Sequence, residues 1–185
     1  MPYISSALTE SIYYDTITVN YIPFSNSNPS NPKADSLEMI FHEKGNNKCY
    51  DWELIVTDFA PELAYIPLQS ALIVGLGFGV YPYWIQQNTN CKVIDVIEPN
   101  KDVISFSNTT GHLNSFVNII NSSAQDYIPT QTYDLIILDC WFGGTWDYEL
   151  KKVVEIEKID DKIVNKYNSY LEDGGYLMTP IFMTN

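Results

Sequence analysis

Gly75, Gly77 and Gly79 stand at alternate positions between a short apolar run, Ala71 to Val74, and a stretch able to begin a helix at Val80. Where a buried strand turns into a helix, glycines let the backbone approach a ligand closely while the helix N–H groups face it. The spacing is G-x-G-x-G. The dinucleotide fingerprint G-x-G-x-x-G wants a small residue at position 80, and valine stands there. Alone, the glycines are equally a tight strand-to-helix turn. Glu98 adds a second element, because it ends the next strand, Val93 to Ile97. Ligands of such sheets bind beyond the carboxyl ends of the strands, where a carboxylate accepts hydrogen bonds from both hydroxyls of a ribose. The alternative is a solvated acid opening the turn before Pro99.

Asp139 ends a later apolar run, Leu135 to Leu138, and is a candidate base or amine-orienting group; the plainer reading is a turn cap beside Cys140. Trp141, Phe142, Trp146 and Tyr148 follow, interrupted by Gly143-Gly144. They read either as a glycine-hinged lid that excludes water or as rings packing a loop onto the sheet. Tyr81, Tyr83 and Trp84 read as packing. His42 and His112 have no partners at ligand or triad spacing and read as structural or surface residues.

The elements that position these groups fall into two textures. Up to about Leu68 the chain alternates and turns often, as antiparallel strands do: Ile12 to Ile22 is a strand or two, and Leu37 to His42 pairs with Tyr50 to Val56 through Lys44-Gly45-Asn46-Asn47. From there strands and helices alternate, which implies parallel βαβ units in a doubly wound sheet. Expected are a helix from Val80 to Gln87 with Pro82 in its first turn, a helix from Asn100 to about Asn108, and a third strand over Phe116 to Ile120. Tyr148 to Leu171, rich in charge, predicts one long helix stopped by Asp173-Gly174-Gly175, followed by a fifth strand from Tyr176 to Phe182. The boundaries are an antiparallel β region over 1–68 and an α/β domain over 69–185.

Charge narrows the partners. The formal net charge is -13, and all ten basic residues are lysines. A strongly acidic surface without arginine disfavours a nucleic-acid substrate and draws cations such as amines. Cys49, Cys91 and Cys140 show no zinc or disulfide spacing, which suits a reducing cytoplasm. No secretory signal, membrane-spanning stretch or metal site is expected.

The runs ALIVGLGFGVYP, VIDVIEPNKDVI, NIINSSAQDYI, YDLIILDCW and LEDGGYLMTP resemble, in order, the motifs of class I S-adenosylmethionine-dependent methyltransferases. Within them the chain looks most like the spermidine-synthase-like branch, over about residues 65 to 182. The resemblance implies a Rossmann-like sheet of order 3-2-1-4-5, trimmed after the fifth strand and preceded by the small antiparallel region. It places Gly75, Gly77, Phe78 and Gly79 against the methionine and ribose portion and Glu98, with Pro99, at the ribose hydroxyls. Ser123 and Ala124 would lie at the adenine, and Asp139, Cys140 and Trp141 beside the sulfonium and acceptor. Two departures stand out. Ser123 replaces the aspartate that holds the adenine amino group, and Phe142 occupies the second acid of the polyamine-making Asp-x-x-Asp-Pro motif.

The reading is therefore an S-adenosylmethionine-binding transferase with Asp139 as its catalytic residue. It moves a methyl group, or from decarboxylated S-adenosylmethionine an aminopropyl group, to a small acceptor, in a cytoplasmic homo-oligomer. The alternatives are a non-catalytic binding or interaction module of the same fold, a lyase degrading S-adenosylmethionine, and an NAD-linked oxidoreductase that Val80 disfavours.

Overall fold

A computed structural model of the chain describes residues 11–22, 36–41, 65–140, 144–147, 152–156 and 159–179. Ser70–Val74 (β4) is the central strand, because its residues are buried on both faces as a continuous apolar run must be. It pairs in parallel with Val93–Ile97 (β5) on one side and Tyr133–Leu138 (β7) on the other. Val117–Ile120 (β6) extends the sheet beyond β5, and Leu171–Met178 (β10) extends it beyond β7. The order β6-β5-β4-β7-β10 is the expected 3-2-1-4-5 Rossmann-like arrangement.

Helices Val80–Asn88 (α1) and Lys101–Thr110 (α2) carry the first crossovers, and Asp161–Asn168 (α3) precedes β10. Pro82 sits in the first turn of α1, where its missing N–H costs nothing. Asn100 caps α2 as expected, accepting from the Asp102 N–H at 2.8 Å. Ile73, Val96, Leu135 and Ile137 point to one face of the sheet, with Val80, Ile85, Val103 and Phe106 of the two helices over them. Leu72, Val74, Ile136 and Leu138 point to the other, against Ile163 and Tyr167 of α3.

The N-terminal region is a separate three-stranded antiparallel sheet: Ile12–Tyr13 (β1), Ile17–Ile22 (β2) and Ser36–Phe41 (β3). β3 pairs with β2 along its whole length, from Ile17 opposite Phe41 to Ile22 opposite Ser36. Tyr50 to Val56, the partner expected for it, lies outside the described residues. Ile17, Val19 and Met39 enter the same core as Ala71 and Ile73, so this sheet packs onto the α/β unit.

The long helix expected over Tyr148 to Leu171 is not formed. Gly144–Asp147 (β8) and Lys152–Ile156 (β9) pair antiparallel instead, and among the described residues of this stretch only α3 is helical. Val153, Val154 and Ile156 explain the difference, since β-branched side chains lose rotamer freedom in a helix and fit a strand. Asp173, Gly174 and Gly175 do not end a helix either. They lie inside β10, whose register against β7 shifts between Leu171 and Tyr176, and Gly174 takes φ +80 there.

Candidate functional site

The glycine turn leaves β4 at the point where the sheet reverses direction, with β5 on one flank and β7 on the other. Gly75 donates its N–H to the Ile97 carbonyl at 2.8 Å, and Gly79 donates to the Leu76 carbonyl at 2.7 Å, closing a tight loop. Gly75 and Gly79 hold φ of +107 and +72, and neither has room for a side chain. A Cβ on Gly75 would stand 2.3 Å from the Asp139 carbonyl oxygen, and one on Gly79 2.6 Å from Nε2 of His112. At Gly77, φ +49, a Cβ would meet nothing within 4 Å, so the loop there opens onto free space. The Phe78 ring faces away from that space: it is buried, edge-on to Phe106 with centroids 5.8 Å apart.

Glu98 is buried under the loop. Its Oε2 accepts the Leu76 N–H at 3.0 Å and its Oε1 the Asn100 N–H at 2.8 Å. Burial pushes its carboxyl above the ordinary range, while the N–H groups of Asn100, Leu76 and Gly77 pull it back. With three N–H groups on about four lone-pair sites, the carboxylate keeps room to accept a further hydroxyl. Pro99 beside it is exposed, and Asn121, at the end of β6, donates its amide to the carbonyls of Glu98 and Pro99 at 2.9 and 3.0 Å.

Asp139 follows β7 directly across the loop from Glu98. Burial first and the Glu98 charge second together push its carboxyl up to about 7. That places it where a general base works best near neutral pH. Burial also pushes the Cys140 thiol up to about 11, which keeps it protonated and a weak nucleophile. Trp141 and Phe142 lie outside the described residues, as does Tyr148; the backbone of Trp146 is in β8.

Ser123 and Ala124 begin the turn after β6. The Ser123 hydroxyl donates to Oδ2 of Asp126 at 2.7 Å and accepts the Asp126 N–H at 3.1 Å, so it is engaged in a local cap with one lone pair remaining. Ala124 is buried, and its carbonyl accepts from Tyr167 Oη at 2.9 Å and from Lys166 Nζ at 3.1 Å. Lys166 also reaches the Gln125 carbonyl at 2.8 Å. The end of α3 thus fixes this turn.

His112, Asn121, Lys166 and Tyr167 are the residues that the motifs did not single out for the site. His112 in particular is not a surface residue: it is buried and touches the glycine loop. Its one sequence signal is its place directly after Gly111, which ends α2 at φ +61. Among the described residues, no cluster of three or more His, Cys, Asp or Glu is arranged to hold a metal ion. No described helix is long and apolar enough to cross a membrane.

No family model and no curated protein matches the chain. Solved structures do. A putative caffeoyl-CoA O-methyltransferase from Staphylococcus aureus superimposes with a TM-score of 0.52 at 17% identity, over 68% of this chain and 56% of its own. An amino pentose methyltransferase from Micromonospora echinaspora, solved with SAM bound, gives a TM-score of 0.51 at 16% identity, over 72% of this chain and 52% of its own. The chain thus spans little more than half the length of either protein. At these identities the likeness establishes the fold alone, a Rossmann-like fold that these two methyltransferases share.

Proposed function

We propose that the chain is an S-adenosylmethionine-dependent transferase that passes a methyl group to a small acceptor, with an amine as the acceptor class. The observation that carries this reading is the placement of Glu98 and Asp139 directly after β5 and β7, on opposite flanks of a glycine loop that opens at Gly77. Two carboxylates raised by burial gain most from a ligand that brings its own positive charge and hydroxyl donors, as a sulfonium nucleoside does. The methyl-transferring neighbours of the same fold support it.

When bound, the donor supplies an activated methyl carbon and a thioether leaving group. Glu98 holds the nucleoside against the open side of the loop at Gly77, and Ser123 and Ala124 flank its base. Asp139 would orient the acceptor amine toward the donor and take up the proton that the amine gives up on methylation. Positioning supplies most of the acceleration.

The remaining parts of the reading are a small-molecule partner in place of a polyanion, a cytoplasmic setting and a homo-oligomer. Aminopropyl transfer, the hallmark of the spermidine-synthase-like branch, is the competing outcome, and Phe142 in place of an acid weighs against it. Calorimetry with S-adenosylmethionine, its decarboxylated form, S-adenosylhomocysteine and NAD comes first, then single-turnover assays with labelled donors against small amines and hydroxy acids. Binding of the first and third compounds with methyl transfer to an amine is expected. Preference for NAD, or binding of none of the four, overturns the reading.

A further inference from the structure

His112 is the buried side chain nearest the glycine loop that the chemistry above does not use. Its Nε2 lies 3.0 Å from the Phe78 carbonyl oxygen and its Nδ1 2.6 Å from Oγ1 of Thr110. A carbonyl only accepts, so Nε2 carries the proton. Burial holds the imidazole well below its ordinary range, at about 4, so the ring is neutral and Nδ1 is left as an acceptor beside the Thr110 hydroxyl, whose single proton also faces the Ser107 carbonyl at 2.9 Å. The Phe78–Gly79 peptide is therefore pinned on both sides: its carbonyl by His112, its N–H by the Leu76 carbonyl at 2.7 Å. The ring also fills the space that a Cβ on Gly79 would take.

The histidine is itself anchored. Its carbonyl accepts the Gln86 amide at 2.9 Å, and Gln86 Oε1 accepts the Asn114 N–H at 3.0 Å, which ties the segment after α2 to α1. The ring packs at 6.2 Å from Tyr83 of the same helix. Loop, α1 and the end of α2 thus meet at one imidazole.

We infer that His112 is a positioning residue for the donor site: through Nε2–H, with its tautomer set by the Phe78 carbonyl it faces, it holds the Phe78–Gly79 peptide so that the loop keeps the conformation that receives the nucleoside. This rests on the reading of the loop as a nucleoside site. The experiment therefore measures the loop directly as well as binding. Amide hydrogen exchange of Gly77 to Gly79 and calorimetry with S-adenosylmethionine are compared for wild type, His112→Phe and His112→Gln.

In His112→Phe, which keeps a ring of similar size without the donor, loop exchange rises about 10-fold and binding weakens about 10-fold. Turnover at saturating donor stays near wild type. Glutamine, whose amide N–H reaches the same carbonyl, restores both. Unchanged loop exchange in His112→Phe, or no recovery with glutamine, overturns the inference. A loosened loop in a protein that never binds the donor leaves the positioning role standing and removes the methyl-donor reading instead. Should the phenylalanine variant fail to fold, 15N chemical shifts of the wild-type imidazole decide: protonation at Nδ1 rather than Nε2 at neutral pH overturns the inference.

Discussion

Thr16 donates both its N–H, at 2.8 Å, and its hydroxyl, at 2.7 Å, to the same oxygen of Asp102, Oδ2. The first residue belongs to the turn between β1 and β2, the second to the first turn of α2, so the pair latches the N-terminal sheet to the α/β unit. The Thr16 hydroxyl also lies 3.1 Å from Oδ1 of Asn100, whose own N–H holds Glu98. The latch thus stands one residue away from the carboxylate of the site.

Asp102→Ala should destabilise the protein by about 2–3 kcal/mol, since it removes two charge-assisted hydrogen bonds and a favourable charge at a helix N-terminus. Thr16→Val, which keeps the backbone N–H bond, should cost about 1 kcal/mol. Urea titration checks both. A loss for Asp102→Ala within about 0.5 kcal/mol, the range of an ordinary surface change, would show that the latch contributes nothing.

The glycines of the loop should separate sharply on substitution. Gly75→Ala faces φ +107 and a backbone oxygen 2.3 Å from the new carbon, neither of which can yield without moving β7. A loss of about 3 kcal/mol or more, or failure to fold, is expected. Gly77→Ala meets only the left-handed cost, about 1–2 kcal/mol, because its surroundings are open. Its effect should fall on ligand binding instead, where the added methyl intrudes. Thermal melts with and without donor distinguish the two, and equal losses of stability would refute the assignment of Gly77 to the open side.

What the sequence made legible follows the strength of local signals. The run Ala71 to Val74, the alternate glycines and Glu98 at the end of β5 are local patterns tied to one topology, and the sheet order follows from them. The β8–β9 pair was hidden because its charges imitate a solvated helix face while Val153, Val154 and Ile156 speak for a strand. The pairing of β3 with β2 across residues 23–35 is a non-local choice that alternation alone does not encode. His112 was illegible for the same reason: its partners, Phe78 and Gly79, are far away in sequence and meet it only after the crossover through β5 and α2 closes.

Among the described residues β10 pairs on one side only, with β7, and Tyr176 on it is half-exposed. Unpaired edges of this kind invite another strand. Pairing with a second copy along β10 is the expected assembly, and Tyr176→Lys, which puts a charge on the half-exposed edge residue, should shift the protein toward monomer. Sedimentation equilibrium at micromolar concentration tests this. A wild-type monomer at all concentrations would contradict it.

The pH dependence of the site is set by Asp139. Its carboxyl moves from an ordinary value near 3.8 to about 7 in the folded chain, chiefly by burial and secondarily through Glu98. The folded state therefore binds this proton more tightly than the unfolded state does. Stability from the group is fully present below pH about 4 and is lost as pH rises toward about 7, on the order of 4 kcal/mol at most. Asp139→Asn should flatten that slope and leave the protein more stable than wild type at pH 8. A bound cation reverses the balance, because its charge favours the carboxylate. Affinity for S-adenosylmethionine should therefore rise up to about tenfold per pH unit on approaching pH 7 and then level off, with a proton released on binding. Calorimetry in buffers of different ionisation enthalpy measures that proton. Asp139→Asn should abolish its release and, with the charge gone, lower single-turnover rates about 100- to 10,000-fold while the nucleoside still binds. If wild type and Asp139→Asn show the same pH slope and the same proton release, the titrating group lies elsewhere and Asp139 does not face the ligand.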